Sequence, residues 1–182
     1  MSDEIIKTLL EKASNYDFLN HIIPGSIFCC VYEKMSGHVI FGDSFVTSLV
    51  LVYFAGILIS RVGSLLVEPL CKFNFWKIGS IVKYAPYKDY IKAEKVDKKI
   101  SLLVSRNNMY RTFVAMSGML LSYRLVARVS NIPCLAWTHH YKFELILLSV
   151  FALFVVSFRK QTSYVRKRVE KVLEAKTDSS KS

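Results

Sequence analysis

Residues 51–69, LVYFAGILISRVGSLLVEP, join a strongly apolar run to two opposite charges, Arg61 and Glu68. The run extends back to Ser44, so the 17 residues of 44–60 carry no charge. A helix needs roughly 20 such residues to cross the hydrocarbon of a bilayer. Because apolar character resumes between the two charges, the stretch predicts a membrane-spanning helix over residues 43–68 with a charged end.

The composition of the whole chain agrees with a membrane protein. Its 182 residues are 52% hydrophobic and 13% aromatic, and the mean hydropathy is +0.30. These values exceed those of an ordinary soluble domain of this length. The net charge of +11 has two interpretations, a surface for nucleic acid or the cytoplasmic loops of a multi-span protein.

Three further stretches predict spans. Residues 142–158 and 110–129 are apolar, although Arg124 and Arg128 interrupt the second. Residues 17–34 are shorter and contain Pro24, which suits either a kinked span or a re-entrant segment. We therefore expect an all-α polytopic membrane protein, a small bundle of about four transmembrane helices with cytoplasmic helical extensions. The remaining parts are an N-terminal tail (1–16), a basic loop (69–109), an outer loop (130–141), and a basic helix with a disordered tail (159–182).

The positions of the basic residues decide between the two interpretations of the charge. Residues 69–110 hold nine lysines and arginines and residues 159–182 hold eight, whereas residues 33–43 hold one and residues 130–141 none. Basic residues near span ends collect on the cytoplasmic side. This pattern predicts a multi-pass membrane protein with both termini in the cytoplasm. Direct nucleic-acid binding is then not expected, while the basic face can contact anionic membrane lipid.

The second span carries features of an assembly helix. Arg61 and Glu68 are seven residues apart and would share one face of an α-helix, yet they are too distant for easy pairing. Gly56, Ser60 and Ser64 run beside them at four-residue spacing and allow close helix approach. We expect these five residues to pack helices or subunits together. The alternative is that Arg61 extends to the membrane boundary with Glu68 already among headgroups.

Other charged groups lie at the span ends. At the inner end, Arg111 should reach the level of Glu68, so a contact between them is expected. At the outer end, Arg124 and Arg128 lie one turn apart near Glu144. They predict either a salt-bridged rim or, across several subunits, an anion-selective mouth.

Two cytoplasmic helices are expected. One begins near Pro86, runs towards Asn107 and feeds the third span. The other continues the fourth span and carries a narrow apolar stripe, which packs either on the chain's own loop or on a soluble partner. The residues predicted to dock a partner are Lys95, Lys98, Lys99, Arg166, Arg168, Val169 and Leu173.

The sequence contains none of the motifs of hydrolases, zinc proteases or nucleotide-binding enzymes. The four cysteines have no spacing typical of a zinc site, and His139 and His140 have no third ligand within reach by spacing. We therefore expect no catalytic residues, no metal and no cofactor.

The stretches RVGSLLVEP (61–69) and NNMYRT (107–112), together with the four-span plan, resemble the membrane subunit of the bacterial Kiwa antiphage defence system. The resemblance implies a location in the bacterial inner membrane. It also implies a homo-oligomer, a tetramer, that works with a soluble DNA-binding partner in the cytoplasm. No catalytic residues are implied.

Two functions follow from these features. One is an integral membrane sensor or scaffold that oligomerises and recruits a soluble cytoplasmic effector in antiphage defence. The other is a small oligomeric channel or pore-forming protein, whose lumen would be lined by Arg61, Glu68, Arg124 or Arg128.

The charge distribution makes a direct prediction about topology. Reporter fusions at Asp3 and at Asp178 should both report a cytoplasmic location, because both basic segments lie inside. An external C-terminus would contradict the whole charge argument, whereas an external N-terminus alone would make residues 17–34 a re-entrant segment.

Overall fold

The computed structural model describes residues 18–42, 44–73, 80–129 and 141–179. Within these residues all regular structure is helical, which confirms the all-α class. A π-helical turn, Phe18–Ile22, precedes helix α1, Ile23–Ser36. Helix α2, Phe45–Val62, passes through a second π-helical turn, Gly63–Val67, into α3, Glu68–Lys72. The remaining helices are α4 (Tyr87–Glu94), α5 (Lys99–Val129) and α6 (Tyr141–Ser179).

Helices α5 and α6 form a long antiparallel hairpin that organises the bundle. At 1.5 Å per residue they are about 46 Å and about 58 Å long. Near the middle of the hairpin the rings of Phe113 and Phe154 stack with centroids 4.7 Å apart. As expected, the apolar stretch of α6 continues into the basic C-terminal helix without a break.

Helix α1 crosses α2 at two glycines. A Cβ atom on Gly56 would clash with the backbone of His21, and one on Gly25 would clash with the backbone of Val52. The two backbones therefore touch, which only glycine allows at these positions. Since Gly56 lies midway along α2, the described part of α1 runs from the middle of the bundle towards the N-terminal end of α2.

Short signals set the ends of α1 and α2. Gly37 follows α1 in the left-handed conformation, with φ of 72°, and its N–H donates to the Glu33 carbonyl. A residue with a side chain would be strained there. Ser44 caps α2, because its hydroxyl accepts a hydrogen bond from the Thr47 N–H at 3.5 Å.

The π-helical turn between Gly63 and Val67 corrects one prediction. The N–H of Glu68 donates to the carbonyl of Gly63, five residues back. The next residue is Pro69, which has no N–H to donate and whose ring crowds the preceding turn. The wider turn rotates the chain beyond it by roughly one residue, about 100°. Arg61 and Glu68 therefore do not share the common face expected of a continuous α-helix.

The buried residues form three clusters along the bundle. The central cluster joins α2, α5 and α6 through Ile59, Ala115, Met116, Leu120 and Leu147, with Met35 of α1. The second contains Cys71, Val82, Val114 and Phe158. The third contains Ala93, Ile100 and Val169, and it packs the short α4 against the start of α5 and the end of α6.

The helix expected to run from Pro86 towards Asn107 is interrupted. Helix α4 ends at Glu94 and α5 begins at Lys99. Asp97 stabilises the break, because its carboxylate accepts a hydrogen bond from the Lys99 N–H at 3.0 Å. We refer to α4, residues 95–107 and residues 159–179 as the basic cap.

Among the described residues, one helical segment, Phe45–Lys72, is long and apolar enough to cross a membrane. It corresponds to the span predicted over residues 43–68. This segment indicates membrane association, while the predicted bundle of four spans is not confirmed by it.

The glycine crossing predicts a position where even one methyl group is harmful. Gly56→Ala should lower the melting temperature of the protein in mild detergent, because the added Cβ must displace the His21 backbone; we expect a loss of about 2 kcal/mol or more in the unfolding free energy. Gly42→Ala is the matched control, since a Cβ there meets nothing within 4 Å. Equal melting temperatures for the two variants would contradict the crossing.

Candidate functional site

The carboxylate of Glu68 joins two cations where the apolar part of α2 ends. One oxygen accepts a hydrogen bond from Arg111 Nη1 at 2.5 Å, and the other accepts one from Lys72 Nζ at 2.7 Å. The side chains of Arg111 and Glu68 are 14% and 21% exposed, so the pair is mostly shielded from solvent. The predicted contact between Arg111 and Glu68 is confirmed. We call Glu68, Lys72 and Arg111 the ion-pair layer.

Backbone approach brings this layer together. A Cβ on Gly63 would lie 3.3 Å from the Arg111 carbonyl oxygen, so α2 lies close against α5 there. The π-helical turn then directs Glu68 towards Arg111, while Lys72 follows at i+4 on α3. Sequence reasoning missed the role of Lys72, although an acidic residue four positions before a lysine is a recognised helical pair.

A polar cavity of about 330 Å³ adjoins the ion-pair layer. Across it, the Thr162 hydroxyl of α6 lies 2.7 Å from Asn107 Oδ1 of α5. Tyr84 stacks under Lys72, with the ammonium 4.5 Å from the ring centroid. Burial and the nearby Glu68 carboxylate raise the pKa of Tyr84, so its hydroxyl is protonated and able to donate at neutral pH. The cavity is lined by Glu68, Lys72, Tyr84, Ala85, Tyr87, Tyr90, Val104, Asn107, Asn108, Arg111, Thr162 and Val165.

Two donors in this region lack partners among the described residues. The hydroxyl of Tyr84 and the Nε of Arg111 are both buried without a hydrogen bond. A buried polar group left in this way costs about 1–3 kcal/mol. Such a cost at a cavity is typical of a site that accepts a ligand atom or a water.

Asp97 joins the two parts of the basic cap to each other. Its Oδ2 accepts hydrogen bonds from Nε and Nη2 of Arg168, each at 2.7 Å. The hydrogen bond from Arg168 lowers the pKa of Asp97, so the contact persists at neutral pH. In α4, burial and a 2.9 Å hydrogen bond to Glu94 raise the pKa of Tyr90 to about 12.

Part of the predicted docking surface is used within the chain. Val169 is buried against α4 and the start of α5, Leu173 packs at the edge of the same cluster, and Arg168 binds Asp97. The apolar stripe of the C-terminal helix thus packs on the chain's own loop, which was one of the two alternatives, because the break at 95–98 folds α4 back over it. Lys95, Lys98 and Lys99 remain exposed, and Arg166 lies 3.3 Å from Glu170.

The five residues that were predicted to pack helices or subunits together have different environments in the structure. Gly56 is occupied by α1 of the same chain and is not free for a second subunit. The Ser64 hydroxyl donates to the Ser60 carbonyl at 3.1 Å, within its own helix. Arg61 is exposed on α2 and has no hydrogen bond or ion pair to another described residue. Of the five residues, Arg61 alone combines a charge with exposure on the apolar helix.

At the far end of the hairpin, Arg124 is 2% exposed. Its guanidinium lies 3.7 Å from Glu144 and 5.7 Å from the ring centroid of Phe143. This geometry corresponds to the salt-bridged rim for Arg124. The side chain of Arg128, and His139 and His140, lie outside the described residues. In the part of the chain that the structure describes, no three His, Cys, Asp or Glu side chains come together as metal ligands.

Comparison with models of protein families, with curated proteins and with solved structures gave no match to this chain.

The ion-pair layer predicts a coupling between two positions. Glu68→Gln should destabilise the protein by about 3 kcal/mol, because it leaves the shielded Arg111 without its carboxylate. The double variant Glu68→Gln with Arg111→Met should be less destabilised than Glu68→Gln alone, since the stranded charge is gone. Denaturant unfolding in mild detergent measures both effects.

Glu170→Gln is the control for loss of a carboxylate, because the exposed pair between Arg166 and Glu170 should contribute less than about 1 kcal/mol. A double variant that is no more stable than Glu68→Gln alone would contradict the coupling between Glu68 and Arg111.

Proposed function

We propose that this chain is a multi-pass helical protein of the bacterial inner membrane, which homo-oligomerises and holds a soluble effector on its basic cap. The observation that carries this proposal is a belt of exposed apolar side chains on three neighbouring helices. Phe54 of α2 is 58% exposed, Leu125 of α5 is 53%, and Leu145 and Leu153 of α6 are 61% and 60%. An apolar surface of this extent suits lipid and is a liability in water.

The packing of α6 supports its assignment as a span. Its uncharged residues 145–158 lie beside α5, where Gly118 packs against Phe151. The exposed Ser149 donates its hydroxyl to the Leu145 carbonyl at 2.7 Å, so this polar group is satisfied without water. A helix that satisfies its own polar groups can face hydrocarbon.

The arrangement of charge supports the orientation. The two basic segments, 69–109 and 159–182, are far apart in sequence but meet at one end of the bundle, where Arg168 binds Asp97. The opposite end contains residues 33–42, which include one lysine. One end rich in basic residues and one end poor in them are the pattern of a protein with its basic end in the cytoplasm.

Within the basic cap, exposed lysines form the surface that we assign to the effector. Lys95, Lys98 and Lys99 lie together at the corner between α4 and α5. A clustered basic corner suits an acidic patch on a soluble protein, because complementary charge steers association and fixes orientation. The resemblance to the Kiwa membrane subunit makes antiphage defence the proposed setting, in which the effector and not this chain contacts DNA.

Arg61 supports the proposed assembly into a homo-oligomer, for which the same resemblance suggests a tetramer. It is exposed on a helix whose neighbouring residues are apolar, and an isolated charge there is costly. An acceptor on a second copy of the chain would remove that cost.

The channel alternative has less support. Glu68 and Arg124, which would line its lumen, contact helices of their own chain. The contacts among the described residues also give no catalytic arrangement that would favour an enzyme over a scaffold.

Purification of the tagged chain from its host in mild detergent, with mass analysis of the complex, tests this proposal. We expect a homo-oligomer with a soluble protein attached. Arg61→Leu should lower the oligomer mass because it removes a contact between subunits, whereas Arg159→Leu, an exposed arginine in the basic cap, should not. An unchanged mass for Arg61→Leu would favour the alternative in which Arg61 only reaches the membrane boundary.

In the same experiment, replacing Lys95, Lys98 and Lys99 together by Glu should release the soluble protein and leave the oligomer intact. The control carries the same charge change at Lys88, Lys92 and Lys167, which are also exposed. Equal loss from both variants would indicate attraction by overall charge and not by this corner. Ion conductance of the purified oligomer in bilayers would instead favour the channel.

A further inference from the structure

An apolar groove of about 560 Å³ lies between α2 and α6, with α5 as its floor. Small residues on α5 leave the space open, namely Ala115, Gly118 and Ser122. Leu66 and Leu70, which form one wall, are 57% and 66% exposed. The groove therefore opens on the apolar belt. It is lined by Val62, Leu66, Val67, Leu70, Cys71, Ile81, Val114, Ala115, Gly118, Met119, Ser122, Phe151 and Val155.

The groove and the polar cavity follow each other along the same elements. Val67 lines the groove and Glu68 the cavity, and the next pair in α3, Cys71 and Lys72, repeats this order. The Val82 N–H donates to the Cys71 carbonyl at 3.1 Å, which fixes the segment after residue 80 across the boundary between the two spaces. An elongated amphipathic molecule could therefore contact both.

The cavity has unused hydrogen-bond donors and a net positive charge. The Tyr84 hydroxyl and Arg111 Nε have no hydrogen-bond partner among the described residues, and the Lys72 side chain is 50% exposed. Glu68 balances only one of the two cations, Lys72 and Arg111. An anionic oxygen would take up the free donors, and charge-assisted hydrogen bonds of this kind are stronger than neutral ones.

We propose that the groove and the cavity together bind one anionic phospholipid. One acyl chain lies in the groove, and the phosphate lies at the cavity among Lys72, Tyr84 and Arg111. The inference rests on the proposed membrane location. A soluble phosphate compound is the weaker occupant, because it would leave the apolar groove unfilled.

Native mass spectrometry of the detergent-purified chain tests this inference. The chain is first incubated with equal amounts of phosphatidylglycerol and phosphatidylcholine, and the lipid that it retains is then measured. Wild type should retain phosphatidylglycerol in preference. Tyr84→Phe should reduce this retention about tenfold, since it removes one donor to a charged acceptor, and Lys72→Gln should also reduce it. Tyr164→Phe and Lys88→Gln are the matched controls, because both residues are exposed away from the cavity lining.

A variant in the groove distinguishes binding of the whole lipid from binding of a phosphate group alone. Ser122→Phe fills the groove and should reduce retention of phosphatidylglycerol, while inorganic phosphate in millimolar excess should not displace the lipid. Retention equal to the controls in Tyr84→Phe and Lys72→Gln, equal retention of the two lipids, or displacement by inorganic phosphate would each overturn the inference.

Carbonate extraction of membranes distinguishes this failure from that of the proposed function. A chain that resists extraction but shows no lipid preference contradicts only the lipid site. A chain released by carbonate contradicts both the membrane location and the lipid site.

Discussion

The charge of Arg111 is tolerable at the end of the apolar bundle because Glu68 lies against it. An uncompensated guanidinium shielded to this degree would destabilise the packing of α2 on α5. The pairing depends on two unusual backbone features, the close approach at Gly63 and the π-helical turn that follows it. Pro69 favours that turn, so one imino acid helps to decide which helix Glu68 faces. The position of α3, and with it Lys72 and the polar cavity, follows from this one contact.

A second constraint holds the basic cap in place. Asp97 ends the break between α4 and α5 and also binds Arg168 of α6, so one carboxylate fixes both the turn and the helix beside it. Buried Val169 then packs with Ala93 and Ile100. Because a carboxylate with a lowered pKa loses its partner only as pH falls through that lowered value, the cap should hold at neutral pH. The exposed lysines at 95, 98 and 99 are therefore presented on a fixed surface and not on a loose loop.

The sequence was informative where one property dominated. The uncharged run before Arg61 predicted α2, and the placement of charge at the inner ends predicted the contact between Glu68 and Arg111. The sequence was less informative where tertiary packing determined which residues face each other. The prediction that Arg61 and Glu68 share a face assumed a continuous α-helix with 3.6 residues per turn. Pro69 was the signal in the sequence that this assumption fails. Likewise, the stripe containing Val169 left two alternatives, the chain's own loop or a soluble partner, because periodicity alone could not show that α4 covers it.

Helix α6 connects the far end of the bundle with the basic cap. It contacts Arg124 through Glu144 near one end, stacks Phe154 on Phe113 in the middle, and binds Asp97 through Arg168 in the cap. No break occurs along its described length, so a tilt of its apolar half within the bundle must move the cap as well. A lipid in the groove between α2 and α6 would bear on that tilt, because Phe151 and Val155 of α6 form part of the groove's lining. Coupling of this kind requires two arrangements of the helices whose populations differ with the ligand. The structure shows the arrangement in which the groove is open, and a larger side chain at Gly118 would press on Phe151 of α6, because even a Cβ there would lie 3.3 Å from that ring.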